Sequence, residues 1–450
     1  MFVAPAPSLA ELLREMGARR LAGMFDVATT PGLLPEEYIH WDKLRHLDPP
    51  EGLSHRDWWA GIKWARHSSQ RELPLKDAEG LAFTYSMPDE ALRLLHYVDQ
   101  HCSGEIAMPE VVTADEHAQR RYLVNSLMEE AIRSSQLEGA TTSRRVAKEL
   151  IRSGRPPKDR SEQMIVNNYK ALLFMRDHID DELTPGLVLE LQRVLTQDTL
   201  DNPDAAGRLQ RADEERVAVV DRTDGSVVHR PPPAEQLDDR LRAMCVFANQ
   251  TNEGPAFLHP VVRAILLHFW VGYDHPFEDG NGRTARALFY WAMKRQGYWL
   301  VEYLSISHIL REAPGQYSKA FVLTETDERD TTYFVLYQLR VVERAVEELH
   351  RYLDRKVTEV KRVESLIRDL DTFNHRQLAV LGESLRDPDR AYTFASHATE
   401  HQVTHETARY DLQQLQRYRL LERRKDGKRF VFHPSPDLED RLRHVDRTDV

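Results

Sequence analysis

Hydrophobic residues recur at intervals of three and four along most of the chain, which is the spacing of one face of an α-helix. Helix punctuation agrees with this spacing. Thr184-Pro185 and His259-Pro260 are typical of helix starts with proline in the first turn, and Gly297 is typical of a helix end. The pattern therefore predicts a mainly α fold, with helices at 123–132, 169–179, 188–195, 261–270, 285–293 and 333–353.

Strand-like sequence is limited to two short segments, and each contains a turn pair that is typical of a β-hairpin. The first turn pair is Asp224-Gly225, and the second is Asp426-Gly427, which precedes the strand-like residues 429–432. The residues expected to flank the first turn are Val217, Ala218, Val219 and Val220 on one strand and Val227 and Val228 on the other. We therefore expect a helical core with one hairpin and a small α+β domain at the C-terminus.

The character of the chain changes along its length, without internal repeats. Trp58, Trp59 and Trp64 lie at helical spacing, and we expect them in a core. The expected segments are an N-terminal helical region at 1–100, a main helical domain at 101–350, a helical linker at 351–372, a small and more basic domain at 373–434, and a charged tail at 435–450. Two to three domains are typical of this length.

Composition excludes several classes of protein. The 450 residues carry a net charge of −11, which excludes a uniformly basic nucleic-acid-binding coat but allows a local basic patch. Cys102 and Cys245 are the only cysteines, too few for a disulfide framework or a four-cysteine zinc site. The N-terminus lacks the pattern of a signal peptide, and the apolar stretch 261–273 is too short to cross a bilayer. We expect a cytoplasmic protein with no membrane partner.

The segment 275–286, HPFEDGNGRTAR, carries the strongest chemical signal in the sequence. Gly280 and Gly282 leave backbone N–H groups open to an anion, and the following helix directs its positive dipole end to the same place. Arg283 and Arg286 are three residues apart, so they share one helix face and suit phosphate oxygens. This part of the segment predicts a polyphosphate site.

Two further side chains in the segment suit catalysis. Asp279 offers the hard oxygen that Mg²⁺ prefers beside substrate phosphates, and His275 suits a base for an attacking hydroxyl. Phe277 lies between them and would anchor the loop in the core. Each feature alone is common in ordinary turns and solvated helices, but their convergence predicts a site for a metal-bound polyphosphate with a base beside it.

The string HPFEDGNGRTAR resembles the signature of Fic-domain proteins, His-x-Phe-x-(Asp/Glu)-Gly-Asn-Gly-Arg-x-x-Arg, at every defined position. The resemblance extends over residues 120–350. It implies a mostly helical Fic fold and the transfer of AMP from ATP to a Ser, Thr or Tyr hydroxyl of a target protein or of the enzyme itself. ATP and Mg²⁺ are the implied substrate and cofactor, and Fic-like proteins of this layout often form homodimers.

Matching the motif position by position implies a role for each residue. His275 would be the base that activates the target hydroxyl, and Asp279 would hold Mg²⁺. The implied nucleotide-binding residues are Phe277, Gly280, Asn281, Gly282, Arg283, Arg286 and Tyr317. Among them, Arg283 would meet the β-phosphate and Arg286 the γ-phosphate, while Asn281 and the glycine amides would bind the α- and β-phosphates. The second tyrosine that often follows near the adenine is replaced by Ser318, which leaves the recognition of the base open.

A second motif lies upstream in residues 133–139, RSSQLEG. By pattern alone it is a helix end, with Ser134 and Glu138 on one face and Gly139 as a cap. In this context it resembles the Fic inhibitory motif, (Ser/Thr)-x-x-x-Glu-(Gly/Asn). The resemblance implies that Glu138 pairs with Arg286 in place of the γ-phosphate, so that bound ATP is misplaced for in-line attack.

The hairpin around Asp224-Gly225 has two interpretations. It is an ordinary surface ribbon, or, as the Fic resemblance implies, a flap that aligns the target segment by strand pairing. The second interpretation makes the six residues that flank the turn a docking edge for the target protein.

Residues 391–433 have the order helix, turn, helix and hairpin, and they resemble a winged helix-turn-helix domain. The hairpin segment 423–429 has a net charge of +4. Its candidate DNA-binding residues, with one from the second helix, are Arg409, Arg423, Arg424, Lys425, Lys428 and Arg429. Winged helices also mediate protein association, so both partners stay open. His397, His401 and His405 recur every four residues, and we expect exposed histidines rather than a metal site.

Three functions are compatible with the sequence. The first is an autoinhibited, Mg²⁺-dependent protein adenylyltransferase. The second is removal of AMP from a modified protein by the same residues, with Glu138 aligning a water. The third is a DNA-binding regulator whose nucleotide site senses ATP, although a sensor needs no base such as His275. The sequence does not identify the target, the nucleotide base or the signal that displaces Glu138.

Overall fold

The computed structural model describes residues 3–30, 32–103, 116–216, 219–220, 227–251, 257–367, 370, 372–386, 390–426 and 429–444. Its elements are mainly helical, as the periodicity predicts. The described residues form two compact units, one up to Leu349 and one from His350 onward. In these ranges we find no helix with both the length and the apolar character needed to cross a membrane.

The described part of the first unit consists of helices joined by short hairpins and 3₁₀ turns. Its α-helices are α1 (Leu9–Glu15), α2 (Ala18–Thr29), α3 (Trp41–Leu44), α4 (His55–His67), α5 (Asp89–Cys102), α6 (Glu116–Leu137), α7 (Arg144–Ser153), α8 (Arg160–Asp177), α9 (Pro185–Thr196), α10 (Leu237–Asn249), α11 (Pro260–Asp274), α12 (Asn281–Arg295), α13 (Ile306–Glu312), α14 (Pro314–Thr326) and α15 (Thr332–Ile367), which extends past Leu349. Its strands are β1 (Arg71–Lys76), β2 (Ala82–Tyr85), β3 (Val219–Val220) and β4 (Val227–His229), and its 3₁₀ turns are Pro203–Ala205, Ala234–Gln236 and Trp299–Tyr303.

The predicted helix boundaries follow local capping chemistry. The Thr184 side chain accepts a hydrogen bond from the Leu187 N–H at the start of α9, and His259 caps α11 in the same way. Proline occupies the first turn of both helices. Gly297 follows the end of α12 with φ of +86°. These sequence predictions are confirmed.

The core of the unit surrounds α11. Every residue from Val261 to Val271 is buried, which accounts for the apolar character of this helix on all its sides. Phe269 on α11 stacks on Phe321 at 5.1 Å between ring centroids and meets the edge of Phe83 at 5.5 Å. A fully packed helix therefore carries His275 at its C-terminal end.

The hairpins differ in how well the sequence predicts them. Strands β3 and β4 pair antiparallel where the valine pattern places a hairpin, although Val217, Ala218 and the turn lie outside the described residues. The pairing of β1 with β2, from Arg71 with Tyr85 to Lys76 with Ala82, was not predicted. Pro74 lies within β1, and proline argues against a strand unless it is an edge.

The N-terminal region packs as part of the first unit. Trp58 and Trp59 are buried in a cluster formed by α1, α2 and α4, as predicted. The same expectation is wrong for Trp64, which is 39% exposed and meets the edge of Phe25 at 5.2 Å. Trp64 follows Ile62 by two positions, and this places it on the outer side of α4.

The second unit contains the end of α15, then α16 (His375–Arg386), α17 (Phe394–Glu400), α18 (His405–Arg417), strands β5 (Leu421–Asp426) and β6 (Arg429–Pro434), and α19 (Leu438–Leu442). Strands β5 and β6 pair from Leu421 with Pro434 to Asp426 with Arg429, around the predicted second turn. Lys428 lies outside the described residues. The buried apolar residues of this unit are Leu370, Phe373, Val380, Leu381, Tyr392, Leu412, Leu415, Leu420, Leu421, Phe432, Leu438 and Leu442.

The expectation of exposed histidines is wrong for His397. This side chain is 1% exposed, and its Nε2 lies 3.2 Å from Oδ2 of the buried Asp411 on α18. Arg376 donates to the same carboxylate oxygen at 2.7 Å. A buried acid on α18 attracts both groups, and periodicity of histidines alone does not reveal it. His405 is exposed, as predicted.

Candidate functional site

The site begins where α11 ends at a conformation that L-residues rarely adopt. His275 caps α11 with φ of 42° and ψ of 54°, in the left-handed region, and its N–H donates to the Val271 carbonyl at 3.0 Å. Gly280 caps the start of α12 with φ of +87°, where a Cβ would press against the Thr196 side chain at 3.0 Å. Two left-handed positions therefore turn the chain from one buried helix into the next.

Asn281 holds this loop in one shape. Its Oδ1 accepts a hydrogen bond from the Phe277 N–H at 2.9 Å, and its Nδ2 donates to the Phe277 carbonyl at 2.8 Å. The same Nδ2 lies 3.2 Å from Nδ1 of His275, so the ring is held with Nδ1 as the acceptor. Phe277 is fully buried and anchors the loop in the core.

The catalytic candidate His275 is neutral in this environment. Burial lowers the pKa of its imidazole to about 4, and the electrostatic interaction with the nearby His229 side chain acts in the same direction. Because the pKa lies below neutrality, the ring is unprotonated at pH 7, as a general base requires.

The first turn of α12 forms a cradle with cationic walls. Arg283 and Arg286 are both buried, and among the described residues Nε of Arg283 and Nη1 of Arg286 have no hydrogen-bond partner. A Cβ added to Gly282 would collide with Oε1 of Glu138 and would lie 3.0 Å from Nη1 of Arg286. Buried cationic N–H groups without partners beside an open glycine are suited to an anion.

The carboxylate of Glu138 occupies this cradle. Nη2 of Arg286 donates to Glu138 Oε1 at 2.8 Å and to the Ser134 carbonyl at 3.1 Å, and Nε of Arg286 donates to the Ser134 hydroxyl at 2.9 Å. Gly139, with φ of +104°, ends the turn after α6. The upstream motif and the loop motif, which are far apart in sequence, meet at Arg286.

Asp279 lies at the rim of the cradle and is partly exposed. Its Oδ1 accepts from the Gly280 N–H at 2.5 Å and lies 3.1 Å from Nη2 of Arg283. Its Oδ2 has a cationic neighbour in Nη2 of Arg160 at 3.9 Å. A carboxylate oxygen at the rim of an anion cradle fits the ligand preference of Mg²⁺, so the residues present fit this metal.

Several residues that support the loop were not predicted. Nη2 of Arg216 donates to the Asp274 and His275 carbonyls at 2.7 and 3.2 Å, and Nε2 of Gln192 donates to the Asp279 carbonyl at 3.1 Å. The Gln210 N–H donates to the Pro276 carbonyl at 3.0 Å. These contacts bind backbone atoms, and no pattern along the sequence indicates which distant side chains will supply them.

The remaining predicted residues lie in three other parts of the chain. Tyr317 on α14 is tied through its hydroxyl to Nε2 of His268 at 2.9 Å, and Ser318 is exposed beside it. Val227 in β4, a residue of the predicted docking flap, is 47% exposed. In the second unit, Arg409, Arg423, Arg424 and Lys425 are exposed.

Comparisons with known proteins agree with this geometry. Residues 182–293 match the family model of the Fic/DOC family. The chain is 40% identical over 70 residues to "Protein adenylyltransferase Fic" of Nematostella vectensis, which covers 16% of each chain. It is 29% identical over 173 residues to "Protein adenylyltransferase fic-1" of Caenorhabditis elegans, which covers 36% of this chain and 30% of that relative. The chain thus spans less than a third of these curated relatives.

A solved structure of a Fic family protein from Desulfovibrio desulfuricans shares the fold. It superposes with a TM-score of 0.52 at 20% identity, over 78% of this chain and 98% of that chain. The chain therefore carries a Fic domain at residues 182–293 in a Fic fold, as the resemblance of the loop motif implies.

Proposed function

We propose that this chain, with its Fic domain at residues 182–293, is a protein adenylyltransferase that Glu138 holds inactive. It transfers AMP from ATP to a Ser, Thr or Tyr hydroxyl of a target protein, or of the enzyme itself. One observation carries the proposal: the Glu138 carboxylate lies over Gly282 and binds Arg286 at 2.8 Å, in a cradle that suits phosphate. The names of the curated relatives support the same chemistry.

The triphosphate of ATP would enter the cradle at the start of α12. The first N–H groups of a helix and its dipole favour an anion, and Arg283 and Arg286 add two charges that the described residues satisfy only in part. Asn281 contributes by keeping the loop rigid, since both atoms of its side-chain amide bind Phe277. A rigid cradle fixes the α-phosphate in one position, which is the condition for in-line attack.

The chemical step needs one proton acceptor, and His275 supplies it. The target hydroxyl gives its proton to an unprotonated ring nitrogen of His275. The hydroxyl oxygen forms a bond to the α-phosphorus, and the bond between the α-phosphorus and the bridging oxygen breaks. Pyrophosphate leaves, and the target keeps AMP as a phosphodiester.

Asp279 would hold Mg²⁺ through its carboxylate, beside the phosphates. The chemistry that Mg²⁺ would supply there is neutralisation of the negative charge on the phosphates. Nη2 of Arg160 lies 3.9 Å from Oδ2 of Asp279, so a bound cation would compete with this guanidinium for the carboxylate.

Inhibition follows from competition for Arg286. A carboxylate that accepts a charged hydrogen bond from a buried arginine is stabilised by about 1.5 to 3 kcal/mol. While Glu138 keeps this bond, the γ-phosphate loses its partner and the triphosphate shifts. The α-phosphate is then no longer in line with the target hydroxyl.

Transfer of label from ATP tests the proposed reaction. We would compare Glu138→Gly with Glu138→Gly/His275→Ala, each with ATP labelled at the α- or the γ-phosphate and with lysate as the source of targets. The proposal predicts that α-label enters protein in the first variant and not in the second. γ-Label on protein would indicate phosphoryl transfer, and loss of AMP from a pre-modified target without any transfer would indicate de-AMPylation.

DNA binding by the second unit is a further candidate function, and one observation favours it. Arg409 and Tyr410 are exposed on α18, and Arg423 on the β5–β6 hairpin stacks over Phe430 at 4.6 Å. Gel shifts with genomic fragments at low and high salt test this candidate. Arg409→Ala should abolish sequence-selective shifts, and unchanged shifts would contradict it. The homodimer and the cytoplasmic location stay predictions.

A further inference from the structure

His229 lies at the base of the β3–β4 hairpin, between two oxygen atoms. It is the last residue of β4, pairs in register with Val219, and is 7% exposed. Its Nε2 lies 2.6 Å from the Tyr273 carbonyl oxygen, and its Nδ1 lies 2.9 Å from Oε2 of Glu325 on α14. The ring therefore joins the hairpin to the last turn of α11 and to α14.

Both neighbours of the ring are hydrogen-bond acceptors. A carbonyl oxygen only accepts, and an ionised carboxylate only accepts, so both contacts require a proton on each ring nitrogen. A neutral imidazole has one N–H, and its lone pair would then face an oxygen. An imidazolium donates to both oxygens at once and so satisfies both contacts.

The other charged groups around Tyr273 strengthen this assignment. Asp274 on α11 is paired with Arg240 on α10 at 2.5 Å, and Asp77 lies 3.3 Å from Arg329. Glu325 has no such arginine among the described residues, and its buried Oε1 has no hydrogen-bond donor there. The carboxylate of Glu325 therefore depends on a charged His229.

We propose that His229 is a positively charged positioning residue, which fastens the hairpin to the end of α11 and favours the neutral form of His275. The contact between His229 and the Tyr273 carbonyl attaches β4 to α11 at a point two residues before His275. The effect on His275 rests on the proposed function, in which this histidine is the base. The charge on His229 does not rest on it.

The electrostatic consequence has a definite sign. Burial is the larger cause that lowers the pKa of His275, and the positive charge on His229 lowers it further. Removing that charge should therefore raise the pKa of His275. The acidic limb of the pH–rate profile for AMP transfer should then shift towards neutral pH. Glu138 and Asp279 act in the opposite direction, since both are negative.

Glu325→Gln separates charge from structure. The side-chain amide of the introduced glutamine donates to Nδ1 of a neutral His229, so the variant keeps a hydrogen bond while it removes the need for the second ring proton. Glu343→Gln is the matched control, because Glu343 pairs with the exposed Arg93. His229→Gln identifies the His229 signals by their loss.

The test is the ¹⁵N NMR spectrum of the histidine side chains at pH 7. We expect both His229 ring nitrogens to be protonated in the wild type and in Glu343→Gln, and only one in Glu325→Gln. A wild-type spectrum with one protonated nitrogen at His229 would overturn the proposal whether or not the chain transfers AMP.

Activity provides the second readout. In a Glu138→Gly background, Glu325→Gln should move the acidic limb of the pH–rate profile upward by at least about half a pH unit. If this variant is active and its acidic limb does not move, His229 makes only a structural contact, and the proposed effect on the pKa of His275 is wrong. No transfer in any variant would count against the proposed function, while the NMR result would still decide the charge.

Discussion

The backbone and the imidazole of His275 are both held in unusual states. Its φ of 42° places a non-glycine residue in the left-handed region, at a cost of about 1 kcal/mol that the surrounding contacts must offset. Arg216 binds its carbonyl, and Asn281 contacts its ring. Strain that the neighbours maintain at a single residue is typical of a site that orients a reactive group.

The pKa of His275 predicts the pH dependence of the reaction. Burial lowers this pKa to about 4, so the base is already unprotonated at about pH 5.5. In Glu138→Gly, where a negative neighbour is lost, the pKa falls slightly further. We therefore expect kcat/KM for MgATP to stay near its value at neutral pH down to about pH 5. An acidic limb centred at about pH 6.5, the ordinary value for histidine, would contradict the assignment.

The positions of the candidate site could be predicted where its residues are close together in sequence. The loop 275–286 and the pair Ser134 and Glu138 were found because each lies in a short string with a specific spacing. Arg216 and His229 were missed, since each acts through contacts with the backbone near His275. Nothing in their local sequence distinguishes them from ordinary surface residues.

At the scale of elements, α6 connects Glu138, the proposed inhibitory residue, to the rest of the first unit. Glu130 is buried on α6, one turn before Ser134, and accepts from the Ser305 hydroxyl at 2.9 Å and from the Ser307 N–H at 3.2 Å at the start of α13. Burial raises the pKa of Glu130. The position of Glu138 therefore depends on an anchor two turns earlier in the chain, on the same side of α6.

Loss of this anchor should weaken both stability and inhibition. Glu130→Ala leaves Ser305 and Ser307 without their acceptor, so we expect the free energy of unfolding to fall by about 2 to 4 kcal/mol and basal AMP transfer to rise. Thermal denaturation and label incorporation measure the two effects. Glu129→Ala is the control, because Glu129 forms partly exposed ion pairs with Arg144 and Lys148. Equal basal transfer in both variants would argue against the anchor.

Helices were predicted well because their periodicity is long and their caps are explicit. Strands were harder to predict. The two hairpins with an Asp-Gly turn were found, whereas β1 and β2 were not, because Pro74 and the charged residues of β1 hide the alternation. Short strands depend on tertiary pairing, which leaves little trace in local sequence.

At the scale of the whole molecule, burial of neutral histidines should make stability depend on pH. Burial lowers the pKa of His268 to about 3 and that of His40 to about 4, against 6.5 when exposed. Below about pH 6.5 the unfolded chain binds protons that the folded chain does not. The contribution of these histidines to the free energy of unfolding is therefore largest above about pH 6.5, and it is lost as the pH falls towards about 4.

His268→Gln tests this linkage. Between about pH 6.5 and 4 the wild type should lose about 2 to 3 kcal/mol more unfolding free energy than the variant, because the glutamine that replaces His268 does not titrate. Denaturant unfolding at several pH values measures the difference. Parallel pH dependence in the two proteins would show that His268 is not buried in its neutral form.

The overall organisation was only partly visible in the sequence. A change in composition indicated a distinct C-terminal segment, and the described residues divide at Leu349. The burial of His397 against Asp411 was not predicted, since a polar contact within a core follows from the packing of α17 on α18. Composition locates such a unit, but its buried polar pairs depend on three-dimensional structure.

The central claim is that Glu138 blocks the phosphate cradle, and the most direct measurement is the rate of AMP transfer in wild type and Glu138→Gly under identical conditions. Removing one charged hydrogen bond at Arg286 should raise the rate by about 10- to 100-fold, and the added His275→Ala should abolish it. Equal rates in wild type and Glu138→Gly, with ATP binding intact, would contradict the account.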